Sequence, residues 1–66
     1  MELMLNGIRQ SMLDGATVAD AVASLTTRTR GVAVAVNSEV VPQAGWATTA
    51  LADGDRIEVL TAAQGG

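Results

Sequence analysis

The chain has 66 residues, 48% of them hydrophobic and 17% charged, a composition that folds as one small domain burying only ~60% of its unfolded surface. It carries no cysteine and no histidine, which excludes disulfides, thiolate nucleophiles, Ser-His and Cys-His catalysis and most zinc sites. A net charge of −3, with four arginines and no lysine, excludes the basic stripe that nucleic acid demands, and no apolar run approaches the ~20 residues of a membrane span.

Residues 1–5 are too short for a signal peptide and carry Glu2 in place of a basic region, so a cytoplasmic protein is expected. They alternate instead, with Met1, Leu3 and Leu5 on one face and Glu2 and Met4 on the other, the period of a half-buried strand. Asn6 and Gly7 tolerate positive φ, so a two-residue turn is expected to pair residues 8–13 back on the first strand. Asp14 and Gly15 break that pattern. Thr17 then stands as an N-cap with Asp20 three residues on, a shortened capping box. Val18, Ala21, Val22 and Leu25 recur at helical spacing and predict an amphipathic helix of about three turns. Arg28 and Arg30 are placed in or beyond its last turn as solvated charge, with Gly31 ending it in the left-handed conformation.

Residues 32–37 alternate valine with alanine and predict a central strand, its valines facing the helix and Ala33 and Ala35 the other way. Asn37 and Ser38 turn the chain into a short edge strand, residues 39–41, stopped by Pro42 because proline has no N–H for the ladder. Trp46 is the only aromatic residue, and one helical turn would face it and Leu51 inward, the Trp as a core plug. Residues 53–55 (Asp, Gly, Asp) form a turn into a last strand, residues 56–60, with Ile57 and Val59 inward and Glu58 and Leu60 outward. The remaining residues, 61–66, are uncharged and end in Gly65 and Gly66, and without Cβ atoms such a tail suits a narrow channel in another protein. Fully extended, six residues reach about 20 Å. The expected division is a folded body, residues 1–60, and a flexible tail, residues 61–66.

Strands with a single helix pack most simply as two α+β layers, a mixed sheet of four to five strands with the helix on one face. The architecture that sets the C-terminal strand mid-sheet beside the first strand is the β-grasp, or ubiquitin-like, roll.

Val34, Ala35, Val36 and Asn37, then Val41 and Pro42, Trp46, Leu51, the turn at 53–55, Ile57 and Glu58, and finally Gly65 and Gly66 together resemble the ThiS family of sulfur carriers in bacterial thiamine biosynthesis. The resemblance covers essentially the whole chain and is strongest over its second half. Gln43 follows Pro42 where the family usually carries a basic residue, and the tail has Ala62, Ala63 and Gln64 where an aliphatic residue is common.

What the resemblance implies is a carrier and not an enzyme. A partner adenylyltransferase uses ATP and Mg²⁺ to activate the carboxylate of Gly66, sulfur from a persulfide donor protein replaces AMP, and the thiocarboxylate serves thiazole synthase. Gly65 and Gln64 would enter the partner's active site. The absences agree: the chain has no P-loop and no dinucleotide-binding glycine motif, and it would bind no cofactor or metal of its own. Alternation sets Met4, Ala33, Ala35 and Leu60 on the uncovered face of the sheet, rimmed by Glu2, Arg56 and Glu58, as a partner-docking surface.

Two other readings stand beside it. The small subunit of molybdopterin synthase shares fold and chemistry, but those chains are longer and richer in Phe, of which this one has none. A β-grasp interaction module would bind through its sheet and make no use of its tail.

Overall fold

The computed structural model describes residues 1–27 and 30–62. The chain opens with a hairpin of β1, Glu2–Leu5, and β2, Ile8–Ser11. Asn6 and Gly7 sit at φ 52° and 79°, the two positive values that a type I′ turn requires and that other residues adopt only with strain. Leu3 and Leu5 are buried while Glu2 and Met4 are exposed, as strict alternation demands. β2 stops at Ser11 and not at Leu13, although the Met12 amide still bonds the Met1 carbonyl at 2.9 Å.

The helix is shorter than its apolar spacing predicts: α1 spans Val18–Ala23. Its start is as expected, with both halves of the capping box formed between Thr17 and Asp20. Its early end has a local cause. The Ser24 hydroxyl donates to the Ala21 carbonyl at 2.7 Å, a short-range bond that competes with helix continuation. Thr26 and Thr27, both β-branched, then disfavour a further turn. Leu25 consequently stays 45% exposed and is not part of the buried stripe. Arg30 is exposed well past the helix end, so it does not serve the helix dipole, and Arg28 lies outside the described residues. Gly31 does adopt φ 69°, but it precedes a strand and ends no helix.

β3, Val32–Val36, and β4, Glu39–Val40, form the second hairpin around Asn37 and Ser38, again both at positive φ. A 3-10 helix, Gln43–Thr48, carries Trp46 into the core, where its indole N–H donates to the Val41 carbonyl at 2.9 Å. Leu51 is buried too, but from the extended segment after that helix. Its amide bonds Ala16, and the Val18 amide bonds Thr49, so this segment lines the approach to α1.

β5, Arg56–Thr61, completes a five-stranded mixed sheet in the order β2-β1-β5-β3-β4. It lies parallel to β1 and antiparallel to β3. The C-terminal strand β5 is therefore mid-sheet beside β1, as a β-grasp roll requires, and β3 is interior too, between β5 and the edge strand β4. Position follows from pairing partners: β3 has only a two-residue strand beyond it, whereas β5 has a full hairpin on either side. One face of this sheet packs its Leu3, Leu5, Val34, Ile57 and Val59 against Val18, Ala21 and Val22 of α1, closed at one end by Trp46 and Leu51. This is the β-grasp arrangement.

The two turn asparagines do more than turn. Each carries its side chain on to β5 where its own strand has ended. Asn6 accepts from the Val59 amide at 2.7 Å and donates to the Val59 carbonyl at 3.1 Å, and Asn37 accepts from the Arg56 amide at 3.0 Å. Their amide side chains thus replace the missing strand residues on both flanks of the central strand, and keep its partly buried backbone groups paired.

Candidate functional site

The uncovered sheet face is built by the residues that alternate away from α1. Register fixes who stands beside whom. Ala33 is opposite Leu60, and Ala35 lies between Glu58 on one side and Val40 on the other. These residues enclose a shallow depression of about 170 Å³. Leu60 is 68% exposed and Val40 75%, so the patch presents two large aliphatic side chains over a floor of alanines, with Glu58 among them. A hollow of this size falls below the roughly 300–1,000 Å³ of small-molecule sites and suits the knob of another protein.

Met4 is on the same face but not in this patch. It pairs with Arg56, four residues before Leu60 in β5, or about 13 Å along the strand, and groups with Glu2, Arg9, Asp53 and Gly54. The parallel register of β1 on β5 is what separates them. Val40 is the patch member that the reading by alternation missed. The signal was present, because a two-residue turn at Asn37 and Ser38 already puts Val40 opposite Ala35.

The patch lies at the root of the tail. β5 runs on to Thr61, paired with Val32, and the Ala62 amide then donates to the Gly31 carbonyl at 2.6 Å. The sheet thus takes in Thr61, which the sequence division assigns to the tail, and one backbone bond ties Ala62 beside it. Gln64, Gly65 and Gly66 lie outside the described residues.

A roomier groove of about 560 Å³ lies elsewhere, between β2 and α1. Its titratable groups are Asp14 and Asp20. Asp20 is spent on the capping box and Asp14 faces the Met1 ammonium at 3.4 Å, so no acid-base pair or nucleophile is assembled there. Among the described residues no cluster of acidic side chains is fit to hold a metal ion, and no helix is long and apolar enough to cross a membrane.

A mixed five-stranded sheet with one helix on one face and an apolar open face defines a small β-grasp protein. The ThiS family model matches residues 3–66, and the chain belongs to the ThiS family. The sulfur carrier protein ThiS of Escherichia coli is 32% identical over the full length of both chains. The crystal structure of the thiamine biosynthesis protein ThiS from Geobacter metallireducens matches with a TM-score of 0.81 at 28% identity, covering all of both chains. A solution structure of a thiamine biosynthesis protein from the same organism matches at 0.75 and 33%, covering 88% of that chain. A thiazole synthase of Paramagnetospirillum magneticum is 35% identical over all 66 residues of this chain, which spans about 20% of that protein's length.

Proposed function

We propose that this protein, a sulfur carrier of thiamine biosynthesis by family, works by presenting the carboxylate of Gly66 to an adenylyltransferase. The observation that carries the reading is the position of the patch. Leu60 and Ala33 form the ladder pair two places before the Ala62 to Gly31 bond, so a partner seated on the patch receives the chain end directly. Ala33, Ala35, Val40, Glu58 and Leu60 dock. Gln64 and Gly65 follow into the partner's active site, where the absence of a Cβ at Gly65 admits a narrow channel. Met4, beside Arg56, contacts the partner only if its footprint extends along the sheet.

The chemistry is the partner's. The carboxylate of Gly66 attacks the α-phosphorus of ATP, pyrophosphate leaves, and Mg²⁺ held by the enzyme offsets the charge. The terminal sulfur of a donor persulfide attacks the acyl carbon and AMP leaves. A thiol then reduces the S–S bond, leaving the thiocarboxylate that passes sulfur to a thiazole synthase. Apart from that terminal carboxylate the carrier supplies no acid, base or nucleophile to the steps, in keeping with a sequence free of His, Cys, Lys and Tyr. The relative whose name is thiazole synthase, and which contains a whole chain of this kind, supports that last partner.

Intact-mass spectrometry after incubation with ATP, Mg²⁺, the host adenylyltransferase and a persulfide donor tests the reading. The expected product has one oxygen replaced by sulfur, and deletion of Gly66 abolishes it. No AMP adduct and no sulfur gain, beside an active control carrier, would mean that the face serves a different protein interaction. Leu60→Glu is expected to weaken binding to the adenylyltransferase by roughly tenfold or more, since a charge then enters an apolar contact.

A further inference from the structure

The ladder of β5 on β3 ends at Val32 and Thr61, and one step past it a single backbone hydrogen bond joins Ala62 to Gly31. Gly31 holds φ 69°, a region closed to most side chains, and its carbonyl meets the Ala62 amide at 2.6 Å. A Cβ placed on Gly31 would lie 3.2 Å from the Cβ of Ala62, closer than such atoms normally approach. The other turn glycines, Gly7, Gly15 and Gly54, also have positive φ, but a Cβ on any of them would meet nothing within 4 Å. Gly31 alone among these four requires both the backbone conformation and the empty space, and the neighbour that fills the space is the residue from which the tail departs.

We propose that Gly31 is a positioning residue for the tail. It fixes the point and direction at which the chain leaves the sheet, at Ala62. Four residues then remain before the carboxylate, which span at most about 14 Å, not the ~20 Å available if the tail were free from residue 61. The reacting carbon must therefore be delivered from a fixed root over a short tether. Moving that root by an ångström or so misplaces the carboxylate in the adenylyltransferase without disturbing the docking patch. This inference rests on the carrier reading.

The test uses the full chain, ATP, Mg²⁺ and the host adenylyltransferase, with AMP adduct formation followed by intact mass and kcat and KM taken separately. Gly31→Asn is the informative variant, because asparagine already occupies φ 52° and 51° at Asn6 and Asn37 of this molecule, so the backbone conformation is kept while a Cβ is added. The expected result is a fall in kcat of roughly ten- to a hundredfold with KM unchanged, and faster amide exchange at Ala62. Adding Ala62→Gly removes the opposing Cβ and is expected to restore most of kcat, while Ala62→Gly alone stays close to wild type. Thermal unfolding of each variant separates this from a folding defect. A wild-type kcat for a folded Gly31→Asn chain, or no recovery in the double variant, overturns the positioning role while the carrier reading stands. A wild-type chain that never acquires AMP overturns the carrier reading itself, and the positioning role with it.

Discussion

The two faces of the sheet obey the same alternation and meet opposite fates. On the α1 side Leu3, Val34 and Ile57 are at most 2% exposed, whereas on the open side Val40 and Leu60 are 75% and 68% exposed. Both sets are aliphatic, so composition does not distinguish them; only the presence of a covering layer does. The closed face holds the fold together, at about 25 cal/mol per Å² of apolar surface removed from water. The open face leaves Val40 and Leu60 largely in water and so contributes far less to stability. One strand, β5, thus carries buried and exposed residues in alternation.

Substitutions ranked by their effect on stability break or sharpen this division. Ile57→Ala empties the centre of the closed face and is expected to cost about 2–5 kcal/mol, enough to unfold much of the population, as read by circular dichroism on heating. Asn6→Ala leaves the Val59 amide and carbonyl without their partner and should cost about 2 kcal/mol in urea unfolding; Asn6→Asp, which keeps the acceptor, recovers part of that loss. Thr17→Ala removes the helix cap, for about 1 kcal/mol by the same measurement. Leu60→Glu, one residue beyond the buried Val59, should change stability by no more than about 0.5 kcal/mol while binding to the adenylyltransferase falls. A large stability loss from Leu60→Glu would show that the open face is not free of structural duty.

Features set by neighbouring residues were legible in the sequence. The I′ turn at Asn6 and Gly7, the Thr17 and Asp20 box, the turn at 53–55 and the inward and outward residues of β5 all follow from local chemistry. What was not legible depends on distant parts of the chain. The apolar spacing through Leu25 implied a longer helix, but no layer reaches Leu25 to reward its burial. Alternation puts Met4, Ala33, Ala35 and Leu60 on one face but does not say how they group: parallel register carries Met4 away from Leu60, and a turn length brings Val40 in. Gly31 read as a helix stop because glycine in a left-handed conformation has the same local signature wherever it falls. Its partner, Ala62, is 31 residues away in sequence.

The central place of β5 also bears on how the protein is made. Of the described strands β5 is synthesised last, and it joins two hairpins that have no ladder to each other without it. It also supplies Ile57 and Val59 to the core. A nascent chain still short of Arg56 holds two isolated hairpins, each marginal in water, and a helix of six residues that no sheet supports. Folding must therefore wait until β5 has been made. The surface that a partner would recognise, with Ala33 on one strand and Leu60 on another, does not exist earlier than that. A chain that lacks β5 thus cannot present that surface.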